Sequence, residues 1–496
     1  MTDYQELEAR HRRMSAIGGA ISILGWDQSV MMPEGGAQSR AEQVSALSLI
    51  VHEMQTAPDM GDLISNAEND NTLDEWQRAN VREIRHDWLH SNAVPAELVD
   101  RKIMARSACE MTWRSARAEN DFAKLEPQLT DLLTITREVA EVKAEAFGCG
   151  RYDALLDGFD PGRKSADIDA LFAELLTFLP GLLDQVLEAQ NAAPPILLPE
   201  GPFSIAAQEA LGRQVMELFQ FDFDHGRLDV SLHPFSGGTP DDSRITTRYT
   251  EDDFTQSLMA VVHETGHAQY ERGLPKAWRG QPVGTSRGMA VHESQSLLFE
   301  MLAARSPEFI GHIAPTLREM FAGSGPAWED ANLVRLYHKV ERGLIRVDAD
   351  EVTYPLHVIL RYRLEKELIG GTLAVRDLPE AWAEAMRELV GVVPETDTDG
   401  CLQDIHWPSG AFGYFPTYTL GALGASQISA AAKSEDDSIM AGIAKGDFES
   451  LLTWLRANIH GQACKLMPGP LIEQATGAPL GTAAFKAHLE ARYLPG

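Results

Sequence analysis

Helical periodicity runs through most of this chain and constrains its fold more than any other feature. Tracts at 37–56, 74–90, 96–120, 124–147, 165–190 and 204–220 are dominated by Ala, Leu, Glu and Arg, with apolar residues recurring at helical spacing. Met32-Pro33-Glu34-Gly35-Gly36, Asp160-Pro161-Gly162 and Ala193-Pro194-Pro195 punctuate them. The pattern predicts a mainly α protein. No internal repeat or low-complexity linker divides the 496 residues, although that length would allow about three domains at roughly 150 residues each.

One stretch departs from the helical pattern. Two β-prone runs, Leu228 to Leu232 and Arg244 to Tyr249, flank the turn signal Ser236-Gly237-Gly238-Thr239-Pro240, which predicts a hairpin or small sheet. A helix is expected to follow from about Glu251 to Arg272. Thr250 and Asp253 have the spacing of a capping box, Glu251 and Asp252 suit a helix start, and Gly273 and Pro275 supply a stop.

Inside that helix stands His263-Glu264-Thr265-Gly266-His267. Two histidines four apart leave one helix face, so both imidazoles can reach one tetrahedral ion, with Glu264 placed to take a proton from an attacking water. With 15 histidines in the chain, about 0.04 such matches are expected by chance, which favours a metal site over two surface histidines. A catalytic zinc site needs a third protein ligand and an open position. Glu293, opening a second apolar-patterned helix, is the preferred candidate, and its neighbour His292 is the competitor. Adjacent helical residues point about 100° apart, so only one of the two can face the metal.

Composition removes other classes. Hydrophobic residues at 44% and charged residues at 23% are ordinary for a globular protein. With 43 Lys+Arg against 73 Asp+Glu the net charge is −30, a field that repels phosphate backbones and anionic membranes, so neither nucleic acid nor membrane is an expected partner. The four scattered cysteines, Cys109, Cys149, Cys401 and Cys464, read as reduced thiols of a cytoplasmic protein. The N-terminal stretch lacks a signal-peptide pattern, and the apolar run near Leu175 to Leu187 is interrupted short of a membrane span.

Six motifs in order carry a resemblance: His233-Pro234-Phe235, Asp242-Ser243-Arg244-Ile245-Thr246, His263 to His267, His292-Glu293-Ser294-Gln295-Ser296, Ile345-Arg346-Val347-Asp348-Ala349-Asp350, and Gly400-Cys401-Leu402-Gln403-Asp404-Ile405-His406-Trp407. Leu24-Gly25-Trp26-Asp27 with Met32-Pro33, and Tyr152-Asp153-Ala154-Leu155-Leu156-Asp157 with Pro161-Gly162, extend it to nearly the whole chain. Together they resemble the carboxypeptidase Taq family of metallocarboxypeptidases. Leu297-Leu298-Phe299 departs from the more polar Arg-Leu-Trp pattern of that family, which bears on packing near Glu293 rather than on the metal.

The resemblance implies a helical fold similar to neurolysin and angiotensin-converting enzymes: one catalytic domain over 1–496, with two helical halves flanking a deep groove and a small β-sheet beside the active-site helix. It also implies a homodimer, and makes Glu293 the third ligand of a zinc ion, with Co2+ and Mn2+ as the alternative metals. Peptides with a free C-terminus are the implied substrates. His406 and Tyr418 are candidate catalytic donors to the oxyanion, and Tyr414 is a further candidate, for binding substrate. Arg346 is assigned to the terminal carboxylate by its place in the family motif; spacing alone would pair it with Asp350 on an exposed helix face. That tract, Glu341 to Glu365, reads as helix kinked by Pro355. Arg244 is a candidate substrate-binding residue, and with Asp242 and His233 it is expected to shape the site beside the β segment. A zinc endo-oligopeptidase or dipeptidyl carboxypeptidase would share every metal residue. A metal-binding scaffold without chemistry would not need Glu264.

Overall fold

The helical tracts form where caps and apolar stripes place them. The computed structural model describes residues 1–231 and 233–494, and among these are twenty α-helices and one three-stranded sheet. The tracts read from sequence become Ala37–Gln55, Glu75–Asn92, Ala96–Glu119, Phe122–Phe147, Ser165–Ala192 and Ile205–Leu218. Asp74 opens the second of these with a full capping box to Gln77. Asn120 and Gly148, both left-handed, end the third and fourth.

Two large hydrophobic cores organise the helices. One joins helices between Leu98 and Val186 to those between Val340 and Leu423, closed by Phe485 and Leu489. The other joins segments between Phe203 and Tyr337 to those between Ala425 and Ala475. Two helices lie on the seam. Gly288–Leu297 gives Ala290 to the first core and Val291 to the second, and Pro416–Glu435 gives Leu420 to the first and Ile428 to the second. The Ser165–Ala192 helix is by length and composition long and apolar enough to cross a membrane, which the interrupted run did not suggest. Its Phe172, Leu175, Leu179 and Leu183 face the first core.

Three sequence expectations are corrected. The sheet has three strands, β1 (Gly226–Val230), β2 (Phe235–Thr239) and β3 (Asp242–Thr247), in the order β1-β3-β2. β1 runs parallel to β3, and β2 antiparallel, with Phe235 opposite Thr246. The expected turn is therefore largely strand. Gly238 sits at φ +88°, where any side chain would meet the Asp242 carbonyl. Leu232, the end of the first expected run, lies outside the described residues.

The metal helix begins at Thr255, not Glu251, and runs to Gly273. Asp253 accepts from the Thr255 amide at 2.7 Å and hydroxyl at 2.6 Å, a local turn that competes with an earlier helical start. Phe254 then fixes the entry by stacking on Trp328 at 5.7 Å. Finally, Glu341 to Glu365 is not one helix. Arg346–Asp348 is a single 3-10 turn, and the helix starts at Tyr354 with Pro355 in its first turn, where a missing N–H costs nothing.

The metal helix and the Gly288–Leu297 helix meet through Gly266. A Cβ there would lie 2.7 Å from Ser296 Cα and 2.8 Å from the Gln295 carbonyl. Because both obstacles are backbone, Gly266→Ala must force the helices apart. We expect it to lower stability by about 1–3 kcal/mol through overpacking and to weaken divalent-metal retention in a chelator competition. Unchanged metal affinity would show that this contact does not set the spacing of the site.

Candidate metal centre

His263 and His267 leave the same face of the Thr255–Gly273 helix, one turn apart. Glu293 approaches from the adjoining Gly288–Leu297 helix. Its Oε2 lies 3.8 Å from His263 Nε2 and 3.5 Å from His267 Nε2. Two imidazole nitrogens and a carboxylate oxygen bonded to one tetrahedral zinc at about 2.0–2.1 Å would be roughly 3.3 Å apart. The donor set and its spacing therefore fit a divalent transition metal. His292 is turned elsewhere: its Nε2 meets Glu271 Oε1 at 3.0 Å while its ring stacks 4.4 Å from His267.

A second layer holds these ligands. Glu300 Oε2 is 2.9 Å from His263 Nδ1, which orients that imidazole, and Glu300 Oε1 receives Arg305 Nη2 at 2.6 Å. Glu300 sits in the π-helical turn Leu298–Ala304, at the start of which Leu298 and Phe299 are buried in the second core. The apolar Leu297-Leu298-Phe299 departure thus packs inward behind the ligand. Gly421, on the helix behind, leaves room for Glu293, whose Cβ and Cγ would be 2.7 and 2.8 Å from any added methyl.

The electrostatics call for a cation. Burial alone would lower the His263 pKa, yet Glu293, the hydrogen bond to Glu300 and Glu264 together raise it to about 10. Burial pushes Glu293 up, but His263 and His267 hold it at about 2. Glu264 is raised above the ordinary carboxyl value, chiefly by burial, with His263 opposing. Three buried carboxylates thus face two imidazoles and Arg305, a set of donors suited to a bound cation.

A cationic cluster is built around Asp404. Arg346, 5% exposed, donates from Nη2 to Asp404 Oδ1 at 2.7 Å and from Nη1 to the Tyr354 hydroxyl at 3.2 Å. Arg361 donates from Nε to Asp404 Oδ2 at 2.6 Å. One carboxylate thus serves two guanidiniums. Asp350 does not pair with Arg346, as spacing would have had it, but accepts the amides of Val352 and Thr353. The Arg346 guanidinium lies over Tyr418 at 5.0 Å, and Tyr418 OH meets His406 Nε2 at 3.1 Å. Burial and then Arg346 lower the His406 pKa to about 3, so its ring is neutral at neutral pH. Tyr414 packs beside it, 5.5 Å from His406 and 5.2 Å from Tyr418.

The β residues are placed differently. Arg244 is bidentate to Asp242 and covers the Trp26 ring at 4.5 Å, with Arg227 also over that ring at 5.0 Å. The Leu24-Gly25-Trp26-Asp27 motif therefore clamps the first helix to the sheet. His233 is exposed at the end of the β1–β2 connection. The sequence reading does not single out Glu300, Arg305 or Arg361; a seven-residue spacing from Glu293 is the one signal that could have found Glu300.

Comparison with known proteins agrees with this geometry. The model of the carboxypeptidase Taq (M32) metallopeptidase family matches residues 6–493. The chain is 38% identical to a thermostable carboxypeptidase 1 of Thermus thermophilus, covering 99% of this chain and 98% of the relative. It is 31% identical to carboxypeptidase 1 of Bacillus subtilis, covering 97% and 96%. Among solved structures, metallocarboxypeptidase 1 of Trypanosoma cruzi superposes with a TM-score of 0.97 at 41% identity, over 99% of both chains. The Pyrococcus furiosus carboxypeptidase gives 0.94 at 33% identity, over 100% of this chain and 99% of that one.

The second layer makes its own prediction. Glu300→Gln keeps the size of the side chain but removes the charge that orients His263, and it should weaken metal binding by about 10–100-fold. Competition with a chelator of known affinity measures this; a variant that holds metal as tightly as the parent would assign Glu300 to packing alone.

Proposed function

The chain belongs to the carboxypeptidase Taq family of metallopeptidases, and on that premise we propose that it is a zinc-dependent carboxypeptidase removing C-terminal residues from peptides. His263, His267 and Glu293 would hold the zinc. The observation that carries the reading is the pairing of this largely buried donor set with Arg346, a desolvated cation whose counter-ion among the described residues, Asp404, is shared with Arg361.

A bound zinc ion supplies Lewis acidity towards the scissile carbonyl and makes water nucleophilic near neutral pH. Glu264, beside the ligands on the same helix, takes the proton of the attacking water and returns it to the leaving amine. Its burial favours the protonated form, which suits that second step. The Tyr418 hydroxyl, joined to neutral His406, donates to the oxyanion. Arg346 binds the terminal carboxylate, aided by Tyr414 at the cleft wall, and fixes cleavage one residue from the end. Arg244, bidentate to Asp242 and covering Trp26, holds the first helix on β3 and shapes the substrate side of the sheet. A homodimer belongs to the same proposal, supported by the family resemblance. A cytoplasmic setting is supported by four unpaired cysteines.

Two outcomes are expected. Chelation should abolish peptide cleavage and zinc should restore it; Glu264→Gln should retain zinc while lowering turnover by several orders of magnitude, whereas Glu293→Ala should lose the metal. Metal analysis beside kinetics separates the two, and a Glu264→Gln protein that sheds zinc would refute the assignment. Arg346→Ala should lower kcat/KM on free-acid peptides by on the order of 2 to 5 kcal/mol with zinc still bound. Amidating the substrate should harm the parent far more than this variant, because both changes remove one interaction. Equal cleavage of amidated and free-acid peptides by the parent would turn the reading to an endo-oligopeptidase.

A further inference from the structure

A second cluster of titratable groups lies outside the metal centre, where the Tyr152 to Asp157 motif finds its place. His86 and His90, four apart on the Glu75–Asn92 helix, both meet Asp157 Oδ2, at 2.7 and 3.0 Å. The other Asp157 oxygen accepts the Gly162 amide at 2.8 Å. Lys143 Nζ stands 2.9 Å from His90 Nδ1. Lys102 faces the same cavity of about 400 Å³. Burial and Arg106 act against its charge, and none of the described carboxylates pairs with it.

The donor triad mimics a metal site, but its geometry argues otherwise. Contacts of 2.7 and 3.0 Å are ordinary hydrogen bonds, shorter than the roughly 3.3 Å expected between ligands of one zinc ion. The ammonium on His90 would also repel a dication. The charge balance points to an anion instead. Lys102, Lys143 and protonated His86, held up at about 9 by Asp157 and Asp87 against its burial, face Asp157 and a half-exposed Asp87. One positive charge is left over, in a protein of net charge −30.

The cavity adjoins elements that carry the metal site. Phe159, in its wall, packs 5.1 Å from Tyr414, and its carbonyl accepts the Met289 amide, one turn before Glu293. Gly410 and Phe412 line it from the loop between His406 and Tyr414. Gln55 and Asp87 are shared with a neighbouring cavity of about 500 Å³ that reaches β2 at Thr239 and the metal helix at Glu271. The cavity's lining includes neither Arg346 nor the three candidate metal ligands; an enzyme that removes one C-terminal residue places the rest of its substrate upstream of the cleaved bond, so upstream side chains are the ones a cavity outside those groups would meet.

We propose that Lys102, Lys143 and His86 form a subsite for the carboxylate side chain of an Asp or Glu upstream of the cleaved bond. The source of the anion rests on the carboxypeptidase reading; the binding of an anion does not. The test uses zinc-loaded protein and free-acid peptides with one C-terminal residue, carrying Glu or Gln at successive upstream positions. Glu should be preferred at one or two adjacent positions by on the order of tenfold in kcat/KM, through KM, with the preference shrinking as salt rises. Lys102→Gln should bring the ratio near one and Lys102→Arg should keep it.

A ratio near one at every position in the parent overturns the proposal. So does inorganic phosphate that binds by calorimetry and is lost in Lys102→Gln without any Glu preference, since that is a site for free anions. A second zinc equivalent lost in His86→Ala overturns it in favour of a metal site. If no peptide is cut, the carboxypeptidase reading fails separately, and phosphate calorimetry alone decides whether an anion binds here.

Discussion

Three carboxylates, Glu264, Glu293 and Glu300, are buried around two imidazoles, and the rest of the site is arranged to tolerate that charge. Taking each carboxylate out of water costs several kcal/mol unless it is paired. Glu300 is matched by Arg305, and Glu293 by the two histidines. Glu264 has no cation of its own among the described residues and shares the field of His263 and, more weakly, His292. A dication bound at Glu293 would relieve this excess, so metal affinity and ligand burial are parts of one energetic arrangement. The same burial leaves Glu264 basic enough to collect a proton, which an exposed glutamate near its ordinary pKa would do poorly.

Such charge density requires rigid support. Glu293 is carried by a helix that packs on both hydrophobic cores, so neither core can shift without moving the ligand. On its two sides stand glycines, Gly266 and Gly421, where backbone and ligand stem come too close for a methyl group. Close packing of this kind holds ligands to a fraction of an ångström, the tolerance that a preorganised site needs. The sheet adds a further brace. β3 lies beside the metal helix, while Trp26, covered by the neighbouring Arg227 and Arg244, ties the first helix to it.

Much of this was legible in the sequence, and the misreadings have local causes. Long helices were visible because propensity, caps and periodicity agree in them, as at Asp74 and Gln77. His263, Glu264 and His267 were visible because their motif lies within little more than one helical turn. The third ligand was not resolved by spacing, since His292 and Glu293 are both plausible donors. It took the hydrogen bond to Glu271 to show which way His292 turns. The 3-10 turn at Arg346 was hidden by a helical composition that tertiary pairing with Asp404 overrides. β2 was hidden by two glycines that read as a turn. Glu300 was silent because it sits two helical turns beyond Glu293 with no motif of its own, and Arg361 because its partner Asp404 comes from a distant segment.

The contrast between Arg346 and the surface explains how a strongly acidic protein can favour an anionic terminus. Exposed acids act through water and salt, which screen them within about 8 Å at physiological ionic strength. Arg346 is nearly dehydrated, so charges within the site dominate its behaviour. If Asp404 served it alone, the pair would be satisfied and offer little to a ligand. Arg361 takes the second oxygen of the same carboxylate, so two guanidiniums share one negative charge. Nη1 of Arg346 is left facing only a phenol, Tyr354. The cluster is thus fixed in place but one anion short. Under the proposed reading the peptide terminus supplies that anion, and binding it completes an ion pair whose desolvation the fold has already met.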